Sequence, residues 1–398
     1  MNLKFRKSSI LCALFLFPLF VPSTLTSNYY VRMCVMFLAL FILLYLCLTY
    51  ILRKKKPGFF VVAIIIMNVW KMLCTLLQNG SIGTFLQTCV PIVLAAVIID
   101  YYKKDFSILI KVLMRYFEVL IYLNFILIII FPNGLFSTLN AAYGNTKEWL
   151  LGADNNFIFY LYPGLVVSLI YRWLFNYKNR TFFLATCILL TEIFCGSTTG
   201  LIGVILLLSL SGIPFLRKFL NPIFAYLLFS FLFFSIFIIQ SYNYLEPIMV
   251  DVFNKDMTFT SRTFIWSNSF AAINKNWLGY GVLYNEQSTV LLGNINGQIW
   301  EGATHAHCQY LQVAFQGGVI NTIVFVIINM VNFLKIKKYD RKINIRVFLF
   351  SIIVLLVMFI VEVFENSLCY LIIGLIFYVD CFVKLKKERQ VVIDEKRI

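Results

Sequence analysis

The sequence predicts an all-α integral membrane protein of about twelve transmembrane helices. Of its 398 residues, 61% are hydrophobic and only 13% are charged, and the mean hydropathy of +0.85 is far above that of soluble domains. The apolar residues come in blocks of roughly 20, the length of helix that spans a bilayer. Runs such as Val119 to Phe131 lack the alternation that the strands of a membrane barrel need.

The hydropathy blocks place twelve spans along the chain. They lie near 9–25, 29–52, 58–77, 84–100, 117–133, 155–175, 181–196, 199–215, 221–241, 308–333, 345–363 and 366–383. The basic start followed by Ile10 to Val21 also resembles a signal peptide, but no small-x-small cleavage site follows, and we interpret it as an uncleaved first helix. Starting inside, an even number of crossings places both termini in the cytoplasm.

The basic residues indicate which membrane side each connection faces. All but six of the 34 lysines and arginines fall where this placement puts the chain inside, which is the positive-inside pattern. The six on the outer side are Arg32, Lys71, Lys147, Lys255, Arg262 and Lys275. The formal net charge of +16 therefore reflects topology, and we expect no nucleic acid as a partner.

One long outer loop before the tenth helix is expected to carry the function. It separates helices one to nine (1–240) from helices ten to twelve and a basic cytoplasmic tail (308–398), and covers about 241–307. Loops of this length are uncommon and are usually functional. Arg262 to Lys275 has apolar residues at helical spacing, which predicts an amphipathic helix at the membrane interface. The aromatic rings of Trp266 and Tyr280 suit contact with sugars.

The two histidines of the chain, His305 and His307, lie together where this loop meets the next span. Neutral imidazole accepts a proton near neutral pH, so the pair predicts acid–base chemistry on a substrate hydroxyl. A helix-capping role is the alternative. Zinc is a weaker one, because i,i+2 histidines do not share a helix face and only Glu301 stands out as a third ligand. We therefore expect no metal.

Arg262 is the outer residue best suited to phosphate, because guanidinium stays charged and offers paired donors. Snorkelling to phospholipid headgroups is the alternative interpretation. No phosphate-binding Gly-Lys-Ser/Thr loop or paired-glycine dinucleotide signature is found in a strand-to-helix setting, so no nucleotide or other cofactor is expected. An enzyme at the outer face would then need an activated substrate, such as a sugar chain on a polyprenyl pyrophosphate.

Several ionisable residues lie within or beside apolar segments, at their predicted outer ends. Groups at such depth normally face a cavity or each other. Arg32, Lys71 and Glu192 are therefore candidates to line the substrate cavity, and Lys71 with Glu192 is equally interpretable as a structural pair. Glu362 and Glu365 most simply mark the end of a span.

Three motifs resemble those of the O-antigen polymerase and O-antigen ligase family. They are Ser261 to Trp266, Asn276 to Gly281, and His307 to Gln312 with Gly317-Gly318 after it. The resemblance implies a GT-C-like fold and metal-independent glycosyl transfer from a polyprenyl-pyrophosphate donor at the outer face of the bacterial cytoplasmic membrane. It implies that Arg262 engages the pyrophosphate and that His307 acts near the acceptor, while His305 has no firm counterpart.

The predicted function is polymerisation of lipid-linked oligosaccharide repeats into O-antigen or capsular polysaccharide. Ligation of a finished glycan to a lipid or protein acceptor uses the same scaffold and stays open, and a flippase or transporter is the alternative from another class. Besides the substrate, the expected partners are membrane lipids and, as candidates, flippase and chain-length regulator proteins. The predicted catalytic residues are His307, Arg262 and His305, and the predicted substrate-binding residues are Arg32, Lys71, Trp266, Tyr280 and Tyr310.

Overall fold

The computed structural model describes residues 3–140, 144–195, 198–213, 220–235, 258–295, 297–340 and 345–395. These residues are nearly all helical, as the hydropathy pattern predicts. In chain order the helices are α1 (Leu3–Leu16), α2 (Ser23–Thr26), α3 (Tyr29–Leu52), α4 (Phe59–Leu77), α5 (Ile82–Tyr101), α6 (Phe106–Ile130), α7 (Ile158–Phe175), α8 (Lys178–Cys195), α9 (Thr198–Gly212), α10 (Pro222–Phe234), α11 (Thr258–Lys275), α12 (Asn285–Leu292), α13 (Gln309–Asp340), α14 (Arg346–Met358), α15 (Ser367–Phe377) and α16 (Val379–Glu395).

The described residues contain six helices long and apolar enough to cross a membrane. They are α3 to α6, α7 with the 3-10 turn before it, and α13. The bent pair of α15 and α16, with 61° between its axes, would make a seventh span. Four shorter apolar helices accompany them, at Ser8–Leu19, Thr198–Gly212, Pro222–Phe234 and Arg346–Met358. A multi-pass membrane protein is thereby confirmed, whereas the number of twelve spans stays a prediction.

Burial separates the central helices from the peripheral ones. In the apolar stretch that includes α7, 78% of the residues are buried inside the protein, whereas in the apolar stretch of α3 only 17% are buried. α3 exposes large apolar side chains along its length, Phe41 and Ile51 among them. A helix that is apolar all round and mostly uncovered is suited to lipid rather than to water. The central position of α7 also explains its small residues Gly164 and Ser168, which allow close packing against neighbours such as α6.

The described residues also form two small antiparallel sheets, which the all-α prediction did not include. The connection after α6 forms β1 (Phe136–Asn140), β2 (Gly144–Trp149) and β3 (Gly152–Ala153), and the loop after α12 forms β4 (Asn294–Ile295) and β5 (Gln298–Ile299). Trp149 anchors the first sheet, because its buried indole donates from Nε1 to the Phe131 carbonyl, 2.8 Å away. Short polar hairpins give little sequence signal beside long apolar runs, which explains why the sequence did not predict them.

The predicted loop helix is present as α11, whose apolar side packs against protein. Ile265, Trp266 and Ala272 are buried on that side, and α11 contacts both α12 and α13. Residues 236–257, which comprise the end of the predicted ninth span and the first part of the predicted outer loop, lie outside the described residues. The same is true of Gly196 and the residue after it in the predicted Gly196–Gly200 turn.

The predicted span 308–333 is broken at Gly318, which has φ +56° and ψ −153°. The motif from Asn276 to Gly281 docks against this break. Tyr280 and Gly281 donate their backbone N–H groups to the carbonyls of Phe315 and Gln316, each at 2.8 Å, and Val319 donates to the Trp277 carbonyl at 3.0 Å. The carbonyls that the broken helix leaves without intrahelical partners are thus bonded by the loop. The motif from Asn276 to Gly281 therefore joins the long loop before α13 to α13 itself.

Replacing Gly318 by alanine is expected to destabilise the protein by at least about 2 kcal/mol. Its backbone conformation is one that essentially only glycine adopts, and a Cβ would lie 2.2 Å from the Trp277 carbonyl oxygen. The measurement is the thermal unfolding midpoint of the purified protein in detergent. Gly83→Ala in α5 is the matched control, because a Cβ there meets nothing within 4 Å. Equal midpoints for the two variants would contradict this account of the break.

Candidate active site

The two histidines lie side by side in the loop that ends where α13 begins. Their ring centroids are 4.0 Å apart, with 36° between the ring planes. His307 has φ +48°, an uncommon left-handed conformation for a residue other than glycine. Neither histidine is helical, so the separation of i,i+2 residues onto different helix faces does not apply to this pair. A strained backbone that brings two imidazoles together is typical of a functional site.

Two buried glutamines in the first turn of α13 hold this loop. The Ala306 N–H, between the histidines, donates to Gln312 Oε1 at 2.9 Å. Gln309 donates its backbone N–H to the Phe359 carbonyl and accepts from the Phe364 N–H at Oε1, each at 2.8 Å. Gln309 thus ties the histidine loop to the segment between α14 and α15. Both glutamines belong to the motif from His307 to Gln312, but their residue type alone did not predict this role.

Arg262 reaches the segment between α14 and α15 from α11. Its guanidinium donates to the Val361 carbonyl, and its Nη2 lies 3.7 Å from Glu362 Oε2. The ends of both side chains remain partly accessible, with 24% of the Arg262 side chain and 16% of the Glu362 side chain exposed. Glu362 was interpreted as the mark of a span boundary. The structure instead places it as the ionic partner of the arginine predicted to bind pyrophosphate.

A second ion pair anchors the same segment. Lys71, buried on α4, forms a salt bridge with Glu365, which is also mostly buried. The alternative pairing of Lys71 with Glu192 was wrong. The Glu192 carboxylate lies against Gly200, where an added Cβ would meet both of its oxygens at 2.3 Å. Because a buried charge without its partner is strongly destabilising, Lys71 and Glu365 fix the loop that carries Glu362.

Burial and the neighbouring cation keep both imidazoles neutral. Burial, and then the Arg262 charge, lower the pKa of His305 to about 4, an effect that Glu365 partly opposes. Burial, His305 and Arg262 lower the pKa of His307 well below its ordinary value. Burial raises the pKa of Glu362, with Arg262 acting in the opposite direction. At neutral pH the site therefore combines a guanidinium cation with two imidazoles able to accept a proton.

His305, His307 and Glu362 together have donor atoms suited to a metal ion. One donor atom from each lies within 4.8 Å of the others. The third candidate ligand is thus Glu362 and not Glu301, which is exposed. A zinc site would use neutral imidazoles and a carboxylate of this kind, but the Arg262 guanidinium beside Glu362 competes for that carboxylate and repels a cation. The charge distribution favours an anion between Arg262 and the histidines.

The other predicted binding residues occupy different surroundings. Tyr310 is buried in the core and donates its hydroxyl proton to the Leu356 carbonyl at 3.0 Å, which holds α13 against α14. Trp266 is only 2% exposed. Tyr280 is half-buried, stacks on Phe315 and donates to the Ala272 carbonyl. Arg32 lies over the ring of Tyr29 at 5.9 Å on α3. The contacts of the first three are those of packing residues around the loop.

Residues 181–326 match the O-antigen ligase family. The matched segment covers somewhat more than a third of the chain and includes α11, the glycine motif, both histidines and the start of α13. The resemblance to the O-antigen polymerase and O-antigen ligase family, predicted from three motifs, is thereby confirmed. No curated protein matches the chain.

The match ends before two residues that the structure adds to the site. Glu362 and Glu365 lie beyond residue 326 and reach the histidines through the segment between α14 and α15. The only sequence signal for them was a pair of carboxylates next to an apolar span, where charges are rare and normally have partners. The presence of these carboxylates does not indicate which residues they contact. Residues inside the matched segment and residues outside it therefore build the candidate site together.

Proposed function

We propose that the chain polymerises polyprenyl-pyrophosphate-linked oligosaccharide repeat units into O-antigen or capsular polysaccharide. The observation that supports this most is the cluster formed by Arg262, His305 and His307 inside the segment that matches O-antigen ligases. A cation able to bind pyrophosphate stands beside neutral imidazoles able to accept a hydroxyl proton. These are the two groups that glycosyl transfer from a lipid pyrophosphate to a hydroxyl requires.

In the proposed reaction one glycosidic bond forms as one sugar–phosphate bond breaks. The acceptor hydroxyl oxygen attacks the anomeric carbon of the donor and inverts it, and His307, with help from His305, takes the hydroxyl proton. The electron pair of the breaking bond stays on the departing polyprenyl pyrophosphate, whose charge Arg262 stabilises. Lys71 and Glu365 act through the loop, holding Glu362 and so Arg262 in place. No step draws on a nucleotide or a metal.

The proposed location is the outer face of the bacterial cytoplasmic membrane, with both termini in the cytoplasm. The uneven distribution of lysine and arginine supports this orientation. The donor's apolar tail would remain in the bilayer beside the apolar helices, so membrane lipids are part of the site. A flippase that delivers the donor and a chain-length regulator are the protein partners we propose.

Ligation of a finished glycan is the second candidate function, because the matching family is described as O-antigen ligase. Deletion of the gene distinguishes the two. Loss of a polymerase leaves acceptors that carry single repeat units, whereas loss of a ligase leaves long chains on the polyprenyl carrier. We expect single units, and long carrier-linked chains in the deletion strain would favour the ligase instead.

Removing divalent metal is expected to leave the transfer rate unchanged. Arg262 supplies the positive charge for the leaving group and opposes a second cation at Glu362. The measurement is product formation by the purified protein before and after exhaustive treatment with EDTA. Restoration of a lost activity by Zn²⁺ would show that His305, His307 and Glu362 hold a functional metal, and would overturn the metal-independent mechanism.

The pH dependence of the reaction is expected to differ between free enzyme and substrate complex. A histidine with a lowered pKa is neutral, and able to act as a base, above that pKa and loses this ability as the pH falls through it. The acid limb of kcat/KM should therefore lie well below pH 6.5, toward the value of about 4 for His305. The bound pyrophosphate offsets the Arg262 charge, so the acid limb of kcat should lie at higher pH. Coincident limbs near pH 6.5 would contradict this electrostatic account.

A further inference from the structure

A cavity of about 420 Å³ opens at the opposite end of the molecule from the histidines. It lies between the end of α7, the start of α8, the end of α9 and the start of α14, with one residue from α16. The histidine loop contacts the other end of α14, through the bond between Gln309 and Phe359. Since α14 has 13 residues, the two sites are separated by about 20 Å along its axis.

The rim of this cavity is strongly basic. Among the residues that the structure describes, four cationic side chains line it and no aspartate or glutamate does; the four are Arg172, Lys178, Arg346 and Lys386. Arg346 already bonds the Leu220 carbonyl and lies 3.5 Å from Asp340, and Lys386 donates to the Trp173 carbonyl. Arg172 and Lys178 form no ion pair with any residue in the described ranges. Two exposed charges are thus available to an anion.

The wall of the cavity changes from polar to apolar along each helix. In α8, Lys178 is at the end and Phe182 and Ala185 follow deeper in the helix. In α7, Leu169 lies deeper than Arg172. The same order holds in α9, where Leu208 precedes Ser211 and Gly212, and in α14, where Phe350 follows Arg346. Three to seven helical residues correspond to about 5–10 Å, so a charged layer lies above an apolar layer.

We infer that this cavity binds the phosphate group of an anionic phospholipid, with part of an acyl chain against its apolar wall. Basic pockets between transmembrane helices bind anionic lipid headgroups in this way, and each cation near the membrane surface contributes to the attraction. Arg172 and Lys178 contact the phosphate, while Phe182 and Leu208 contact the hydrocarbon. A small soluble anion would leave the apolar wall uncovered, which favours a lipid over free phosphate.

The test uses the full-length protein in nanodiscs that contain phosphatidylcholine with a minor share of phosphatidylglycerol. Native mass spectrometry after release counts the phosphatidylglycerol molecules that remain bound. We expect the wild-type protein to retain at least one, and Arg172→Gln with Lys178→Gln to lower the retained fraction at least fivefold. Both residues are exposed, so this double variant should fold. Arg53→Gln with Lys55→Gln, which removes two exposed charges at the end of α3 outside the cavity, is the matched control.

Any one of three results of this experiment would overturn the inference, as would one result of the parallel arm given below. The first is equal retention by the wild-type protein and the cavity variant, and the second is an equal loss in the control variant. The third comes from the wild-type protein alone, if phosphatidylglycerol and phosphatidylcholine are retained to the same extent. A parallel arm adds inorganic phosphate at millimolar concentration. Stabilisation of the detergent-purified protein by phosphate but not by phosphatidylglycerol would assign the cavity to a soluble anion and would exclude the lipid.

Discussion

Replacing His307 by asparagine is expected to lower the polymerisation rate by about 10²–10⁴-fold, the range typical of a general base. The imidazole is neutral, lies against His305 and is buried, and neither of its nitrogens has a hydrogen-bond partner in the described part of the chain. This arrangement is expected of a general base whose substrate hydroxyl is not bound. The measurement is the rate of polymer formation by purified protein, together with the length of surface polysaccharide in cells.

Asparagine is chosen because it tolerates the left-handed backbone that His307 adopts. His307→Ala removes the same imidazole but adds backbone strain, so a difference in unfolding midpoint between the two variants separates folding from chemistry. His305→Gln should have a smaller effect, since His305 keeps a partner in Thr304 and acts through its neighbour. Polysaccharide of ordinary length from correctly inserted His307→Asn would show that this histidine is not the base.

Replacing Arg262 by alanine is expected to reduce the rate by about 10²–10³-fold, the usual cost of removing one group that stabilises charge in a transition state. The guanidinium is the cation within reach of both Glu362 and the histidine loop, and it influences the pKa of both imidazoles. Arg262→Lys keeps the charge but loses the paired donors and should recover only part of the rate.

The control for Arg262 lies on the same helix. Lys275→Ala removes an exposed cation at the far end of α11 and should leave the rate within about twofold, as surface charges usually contribute little. Arg262 also bonds the Val361 carbonyl, so its loss has a structural component. A lowered unfolding midpoint with an unchanged rate would assign Arg262 to the fold alone, and an equal rate loss in Lys275→Ala would point to general surface charge.

Hydropathy predicted the long helices well because a continuous apolar run of bilayer length can form few structures other than a transmembrane helix. The span predicted at 29–52 has the bounds of α3, and those predicted at 58–77 and 84–100 differ from α4 and α5 by one or two residues. The same signal overextended α14, which ends at Met358 and not at residue 363. Residues 359–364 are apolar enough to continue a helix, but Phe359 and Phe364 bond Gln309 instead. A hydropathy profile contains no information about such contacts between distant residues.

The sequence predicted some residues of the candidate site but not the contacts between them. Arg262 and the histidines are chemically conspicuous among apolar residues, so residue type alone identified them. Their partners could not be predicted, because Glu362 is 100 positions from Arg262 and Glu365 is 294 from Lys71. Tertiary packing decides which buried charges meet, and periodicity carries no information about it. For Tyr310 and Trp266, residue type was a poor guide. Aromatic residues suit both sugar contact and the protein core, and these two side chains are buried.

The most direct test of the account is a reconstituted reaction. Purified protein in liposomes receives polyprenyl-pyrophosphate-linked repeat units, and both glycan length and released polyprenyl pyrophosphate are measured. We expect a ladder of chains and one polyprenyl pyrophosphate released for each bond formed, with both products formed at least about 10²-fold more slowly by His307→Asn and by Arg262→Ala. Transfer of units across the bilayer without any new glycosidic bond, or chain growth that both variants sustain at the wild-type rate, would contradict the proposal that this site joins sugars.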